Sequence, residues 1–159
     1  MKRLITAQRA IELAFSEGEF LPSESISTAT ILAVEQQRIK PILGAELYQK
    51  LISGEYASLC EEFVHPPLAL AIKLKVLPQL RVRIGPYGIS EPSGEGFNPA
   101  SDRAIYTSRR TLKAQIRSLL RRLSDELERL HSLKELPEYN PKENILNRCR
   151  TYGDIVQNV

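Results

Sequence analysis

Between residues 103 and 131 the chain contains neither proline nor glycine, and its apolar side chains recur every three or four positions. With Ile116 as reference and about 100° per residue, Ile105, Leu112, Leu119, Leu120, Leu123, Leu127 and Leu130 all lie within about 60° of it. Only a helix puts them on one side. At 1.5 Å per residue that helix is about 44 Å long, longer than most helices of globular proteins. Ser101 or Asp102 is placed to cap its first turn. A chain committed to such a rod must pack its remaining elements along it.

Those elements also favour helices. Aromatic residues make up 6% of the chain and Trp is absent, so the interior must be built mainly from Leu, Ile, Val and Ala. That suits helix packing better than a β-sandwich, which draws on aromatic and β-branched residues. The expected fold is all-α. It is a compact multi-helix domain built around one long helix in the C-terminal half, about 103–131, with a short extended or hairpin segment near 80–100.

Along the chain, Thr6 can cap a first helix over residues 7–16, and residues 17–25 have loop composition. A second helix spans residues 26–39 and should change direction near Lys40, because Pro41 disfavours the α conformation in the residue before it. Gly44 permits a tight turn into a short helix over residues 45–53, with Leu47, Tyr48 and Leu51 on one face. Residues 56–64 form another short helix that ends at Pro66-Pro67. Residues 72–84 fit two patterns, since apolar and basic residues alternate there with the period of a strand. We take helix to Gln79 and an extended segment through Ile84. Residues 85–102 read as a long loop or short hairpin, and loops of that length are usually functional. A length of 159 residues suits one domain. We assign residues 1–136 to a single helical domain and residues 137–159 to a C-terminal arm, with one short amphipathic piece at Ile145, Leu146 and Cys149.

The formal net charge is only +3. Its distribution is more informative. From Arg103 to Arg122 there are seven cations and no Asp or Glu. Arg110, Lys113, Arg117 and Arg121 lie between about 60° and 140° from the centre of the apolar stripe, and Arg103 lies at about 140°. Spacings of three and four put these side chains in one row. A row of cations without acids is what sequence-independent phosphate contact requires. An ordinary solvated face has the same pattern. Arg109, about 20° from the apolar centre, points elsewhere. It should pair with an acid from another segment or chain, or reach around the core edge.

The residues give no support for an enzyme. Cys60, His65, His131 and Cys149 match no zinc spacing, so neither a metal nor another cofactor is expected. A Cys60–His65 nucleophile pair needs a bend after Val64, since five residues of α-helix turn the two apart. Glu61-Glu62 and Asp125-Glu126 are adjacent on helices and cannot both face one site; Asp125 and Glu128 are placed to pair with Arg121 and other cations. The glycines of residues 85–96 match no phosphate loop. The N-terminus lacks the continuous apolar run of a signal peptide, and no stretch approaches the ~20 apolar residues of a membrane span. The expected setting is a reducing, cytoplasmic one.

One segment carries a family likeness. Residues 35–51, EQQRIKPILGAELYQKL, resemble a pattern of helix, "I-x-P-x-L-G", then "L-Y-x-x-L" in small proteins of Bacteroidetes phages and prophages. The later order is also similar: a basic-apolar segment, a loop that opens with Gly88-Ile89 and closes with Pro99-Ala100-Ser101, and a long helix. Such proteins are similar in organisation to the head–tail connectors (adaptors) of tailed phages. The resemblance implies an all-helical structural subunit, a homo-oligomeric ring between portal and tail proteins, and DNA passing through its lumen with non-specific contact. It also implies a site in the bacterial cytoplasm and then in the virion. It brings no catalytic residues. Arg103, Arg110, Lys113, Arg117 and Arg121 would then serve as phosphate or inter-subunit contacts. The competing class is a free-standing helical module that binds nucleic acid or protein.

Overall fold

A computed structural model describes residues 2–16, 19, 21–80 and 101–148, together with the backbone of four short strands named below. The architecture is all-α. Helix α1 is Ala7–Ala14; the Thr6 hydroxyl accepts from the Arg9 N–H at 3.2 Å, as its position suggested. Helix α2 covers residues 28–43 and α3 is Ala45–Ser53. Helix α4 covers residues 57–80, and the long α5 is Asp102–Ser132, capped by Ser101, whose hydroxyl accepts from the Ala104 N–H at 3.3 Å.

Neither expected break at a proline occurs. In α2 the chain passes from Thr28–Val34 through a π-helical turn, Glu35–Ile39, into Lys40–Leu43. In α4 it passes from Ala57–Leu59 through a second π-turn, Cys60–Val64, into His65–Leu80. The Lys40 N–H bonds back to the Glu35 carbonyl and the His65 N–H to that of Cys60, five residues earlier in each case. A proline in an α-helix lacks the N–H and collides with the carbonyl four residues back. One extra residue in the preceding turn moves that carbonyl aside. Pro41 and the Pro66-Pro67 pair each begin one residue after such a turn, past Lys40 and His65, and the helices continue through them.

Helix α4 is the centre of the packing and meets α1, α2 and α5. Leu68, Ala69 and Ile72 on it are fully buried and Val76 is nearly so. Neighbours on several sides explain why the alternating pattern at residues 72–76 is helix: opposite faces of α4 are both covered, so apolar residues two apart are both useful. The extended segment exists further on, as strand β1, Arg83–Gly85, paired antiparallel with β2, Gly88–Ser90. Residues 86–87 and 91–100 of the expected 85–102 loop lie outside the described residues, and its last two, Ser101 and Asp102, already cap and begin α5. Gly44, between α2 and α3, has φ +81°, and a Cβ there would meet a Glu143 carboxylate oxygen at 3.0 Å. The positive φ is what calls for glycine, since the Glu143 carboxylate is the end of an exposed, flexible side chain and could move aside.

The apolar stripe of α5 is the packing face: Ile116, Leu120, Leu123 and Leu127 belong to the core. The segment beyond Leu136, expected to stand off as an arm, is tied to the body as far as Asn147. Leu136 and Tyr139 are buried, and the Asn144 amide donates to Ser124 Oγ and to the Tyr139 hydroxyl, both at 2.8 Å. Buried polar groups need partners, and these three supply one another. After Asn147 come β3, Cys149–Tyr152, and β4, Ile155–Asn158, an antiparallel pair.

Candidate functional site

The N-terminal part of α5 extends past the core. Residues 101–111 are exposed apart from half-buried Ile105, and burial begins at Leu112. Thr107 and Thr111 return their hydroxyls to the carbonyls of Arg103 and Thr107 at 2.9 and 3.1 Å, so they make no demand on neighbouring elements. Arg103, Arg110, Lys113, Arg117 and Arg121 are all exposed. Among the described residues no acidic side chain pairs with any of them.

The pairing expected between Arg121 and Asp125 does not form. Glu126 instead takes Arg129 at 2.7 Å, and Glu128 accepts from the Asn147 amide at 2.7 Å. Arg122 points away from the row, 4.7 Å above the Phe63 ring, and pairs with Glu62 at 3.0 Å. That pair is well exposed on both sides and is worth under about 1 kcal/mol. Arg122 and Arg129 of α5 are thus paired with acids, whereas Arg103, Arg110, Lys113, Arg117 and Arg121 have no acid partner among the described residues, although Arg117 and Arg121 share a surface groove with Phe63, Asp125 and Glu126.

The second set does not end on its own helix. Lys113 and Arg117 form one wall of a cleft of about 370 Å³ between α2, α4 and α5. Arg109 stands beside them, reaching around the core edge, with no acid partner among the described residues. Arg38, from the π-turn of α2, and Lys75, from α4, complete the lining. Sequence reasoning missed these two, because nothing in the order of residues links them to α5. The only signal was the basic-apolar alternation around Lys75, which indicated a surface without saying what faces it.

A different cluster gathers the nucleophile candidates. The π-turn at Cys60–Val64 brings residues five apart onto one face, so Cys60 Sγ lies 3.4 Å from His65 Nε2. The bend that such a pair required is thus supplied by the π-turn. The chemistry is nonetheless that of a buried anchor. His65 Nε2 lies 2.9 Å from the Leu4 carbonyl, which can only accept, so this nitrogen carries the proton. Burial holds the imidazole below its ordinary pKa. It also pushes the Cys60 thiol up to about 11, with help from the nearby charges of Glu35 and Glu61. A neutral thiol beside a neutral imidazole is not an activated nucleophile. In a Cys149→Ser variant, Cys60 of the native protein should be nearly inert to a thiol reagent at pH 8 and react fully on unfolding. Rapid reaction of the native form would reopen the nucleophile assignment.

Glu35, the first residue of the other π-turn, is fully buried against the same backbone. Its carboxylate accepts from the Leu4 N–H at 3.0 Å and from the Tyr48 hydroxyl at 2.9 Å. Burial raises the Glu35 pKa, with the hydrogen bonds from Tyr48, Leu4 and Ile5 opposing. Together Glu35 and His65 hold both backbone groups of Leu4, and so fix the N-terminal segment to the helix bundle. The role of this cluster is structural.

Among the described residues no group of His, Cys, Asp and Glu is placed to hold a metal ion. No described helix is long and apolar enough to cross a membrane. The model of a family of unknown function, DUF6712, matches residues 39–148, opening on the residue where the "I-x-P-x-L-G" pattern begins. No curated protein and no solved structure matches the chain.

Proposed function

The chain belongs to the DUF6712 family, and we propose for it a structural, non-enzymatic role as a head–tail connector subunit of a phage or prophage. In this role copies assemble head-to-tail into a ring between portal and tail proteins, and DNA passes through the lumen. The observation that carries the proposal is the row Arg103, Arg110, Lys113, Arg117 and Arg121, exposed and with no acid partner among the described residues, on a helix whose first turns stand clear of the core. In one subunit such a row binds a polyanion weakly. A closed ring repeats the same surface in every copy, and the contacts add. DNA that must move through a channel is best met by phosphate contacts that carry no sequence information. The likeness of residues 35–51 to phage connector-like proteins supports the same role.

Assembly is the first property to test. Analytical ultracentrifugation of the full chain at high concentration, alone and with the portal protein of the same genome, should show a discrete ring-sized species. A protein that stays monomeric under both conditions would rule the connector role out.

A further inference from the structure

The cleft between α2, α4 and α5 differs from the rest of the basic surface, because three separate helices aim cations into one concavity. Arg38, Lys75, Arg109, Lys113 and Arg117 line it, all exposed, and among the described residues no acidic one does. Like charges brought together without counter-ions repel one another, so this arrangement costs stability until an anion arrives. Most of its apolar floor is closed: Val34, Ala71, Ile116 and Leu120 are between 3% and 7% exposed, and only Leu74 is half-buried. An amphipathic acidic peptide would therefore gain little by docking there. What the cleft offers a ligand is guanidinium, ammonium and the exposed Gln37 amide. Among the described residues no aromatic side chain lines it, so these offer no platform on which a base could stack.

We infer that this cleft is a phosphate clamp for the backbone of duplex DNA, gripping the strand from Arg38 and Lys75 on one wall and from Arg109, Lys113 and Arg117 on the other. The inference rests on the DNA contact proposed above and gives it a defined place. Lys113 and Arg117 belong to both surfaces and join the clamp to the row that continues through Arg110 and Arg121. A backbone entering the cleft is held from two sides, and the remaining cations follow it along α5.

The test uses the full chain, a fluorescent 20-base-pair duplex and a fluorescent poly-glutamate peptide, titrated over a range of salt. Two variants separate the surfaces. One is Arg38→Gln with Lys75→Gln, which leaves α5 untouched; the other is Arg110→Gln with Arg121→Gln, which leaves the cleft untouched. All four side chains are exposed, and a cooperative thermal transition at or above the wild-type temperature verifies that each variant folds. The expected result is that the Arg38/Lys75 variant binds duplex on the order of 50-fold more weakly at 0.1 M salt, with the salt slope reduced by about 1.8. If that variant binds like wild type while the Arg110/Arg121 variant weakens, the clamp is wrong and the row alone contacts DNA. If wild type binds no duplex, both the clamp and the DNA contact fall. If it binds the peptide in a manner that needs Arg38 and Lys75, the cleft serves a protein partner and the clamp is again wrong.

Discussion

Glu35→Ala should destabilise the protein by about 3 kcal/mol, and lower its melting temperature by about 10 °C. The side chain is fully buried and has drawn in the N–H of Leu4 and the hydroxyl of Tyr48. Removing the carboxylate leaves those donors without an acceptor, at about 1–3 kcal/mol for a buried group, and opens a small cavity. Glu35→Gln should cost much less, since the amide oxygen can accept from the Leu4 N–H while the amide nitrogen donates to the Tyr48 oxygen. The two variants also differ in pH dependence. Burial raises the Glu35 pKa above 4.5, so the folded state holds this proton more tightly than the unfolded one. The associated stability is fully present below pH 4.5 and is lost as pH rises through the folded pKa. Gln cannot titrate, so the stability gap between wild type and Glu35→Gln should be widest in acid and narrow toward neutral pH. Chemical denaturation at several pH values would measure it; a gap that widens toward neutral pH would mean that Glu35 is stabilised as its anion. Cys60, raised from 9.0 to about 11, and Tyr48, raised from 10.0 to about 12, add the same sign at the alkaline end, where wild-type stability should fall from pH 9 upward.

What could be seen in the sequence was whatever a single helix determines by itself. The period of residues 103–131, a cap at Ser101 or Asp102 and the Thr6 cap depend on neighbours in the chain, and the structure has the helix, with Ser101 as its cap, and the Thr6 cap. The prolines show where this stops. A local rule places a break at Pro41 and at Pro66-Pro67, but in each case the preceding turn takes in one more residue and the helix continues. The packing that rewards a continuous α4 lies in α1, α2 and α5, far away in sequence. Glu35 sits in EQQR, a run that looks solvent-facing, yet it lies four residues after buried Ile31 on the inward side of α2, where its carboxylate meets Leu4. Cys60 and His65 look as though they diverge until the turn between them widens. For the candidate site, the row on α5 could be read directly, whereas Arg38 and Lys75 join it only once three helices have packed.

Replacing Arg110, Lys113, Arg117 and Arg121 together by Gln should reduce the salt slope of DNA binding by about 3.6, and weaken binding at 0.1 M salt by on the order of a thousandfold. All four are exposed, so folding should be unaffected and the melting temperature should stay within a few degrees of wild type. The loss should be equal for AT-rich and GC-rich duplexes, because phosphates carry no sequence information. Fluorescence anisotropy across a salt series measures both quantities, and an unchanged slope would show that these cations are a solvated face after all. The same variant separates DNA contact from assembly. If the row faces the lumen, the ring should still form, because removing mutual repulsion across the channel favours closure. If ring formation is lost together with DNA binding, the four cations lie between subunits. The long helix would then be the joint of the ring, with its acid partners on the neighbouring copy.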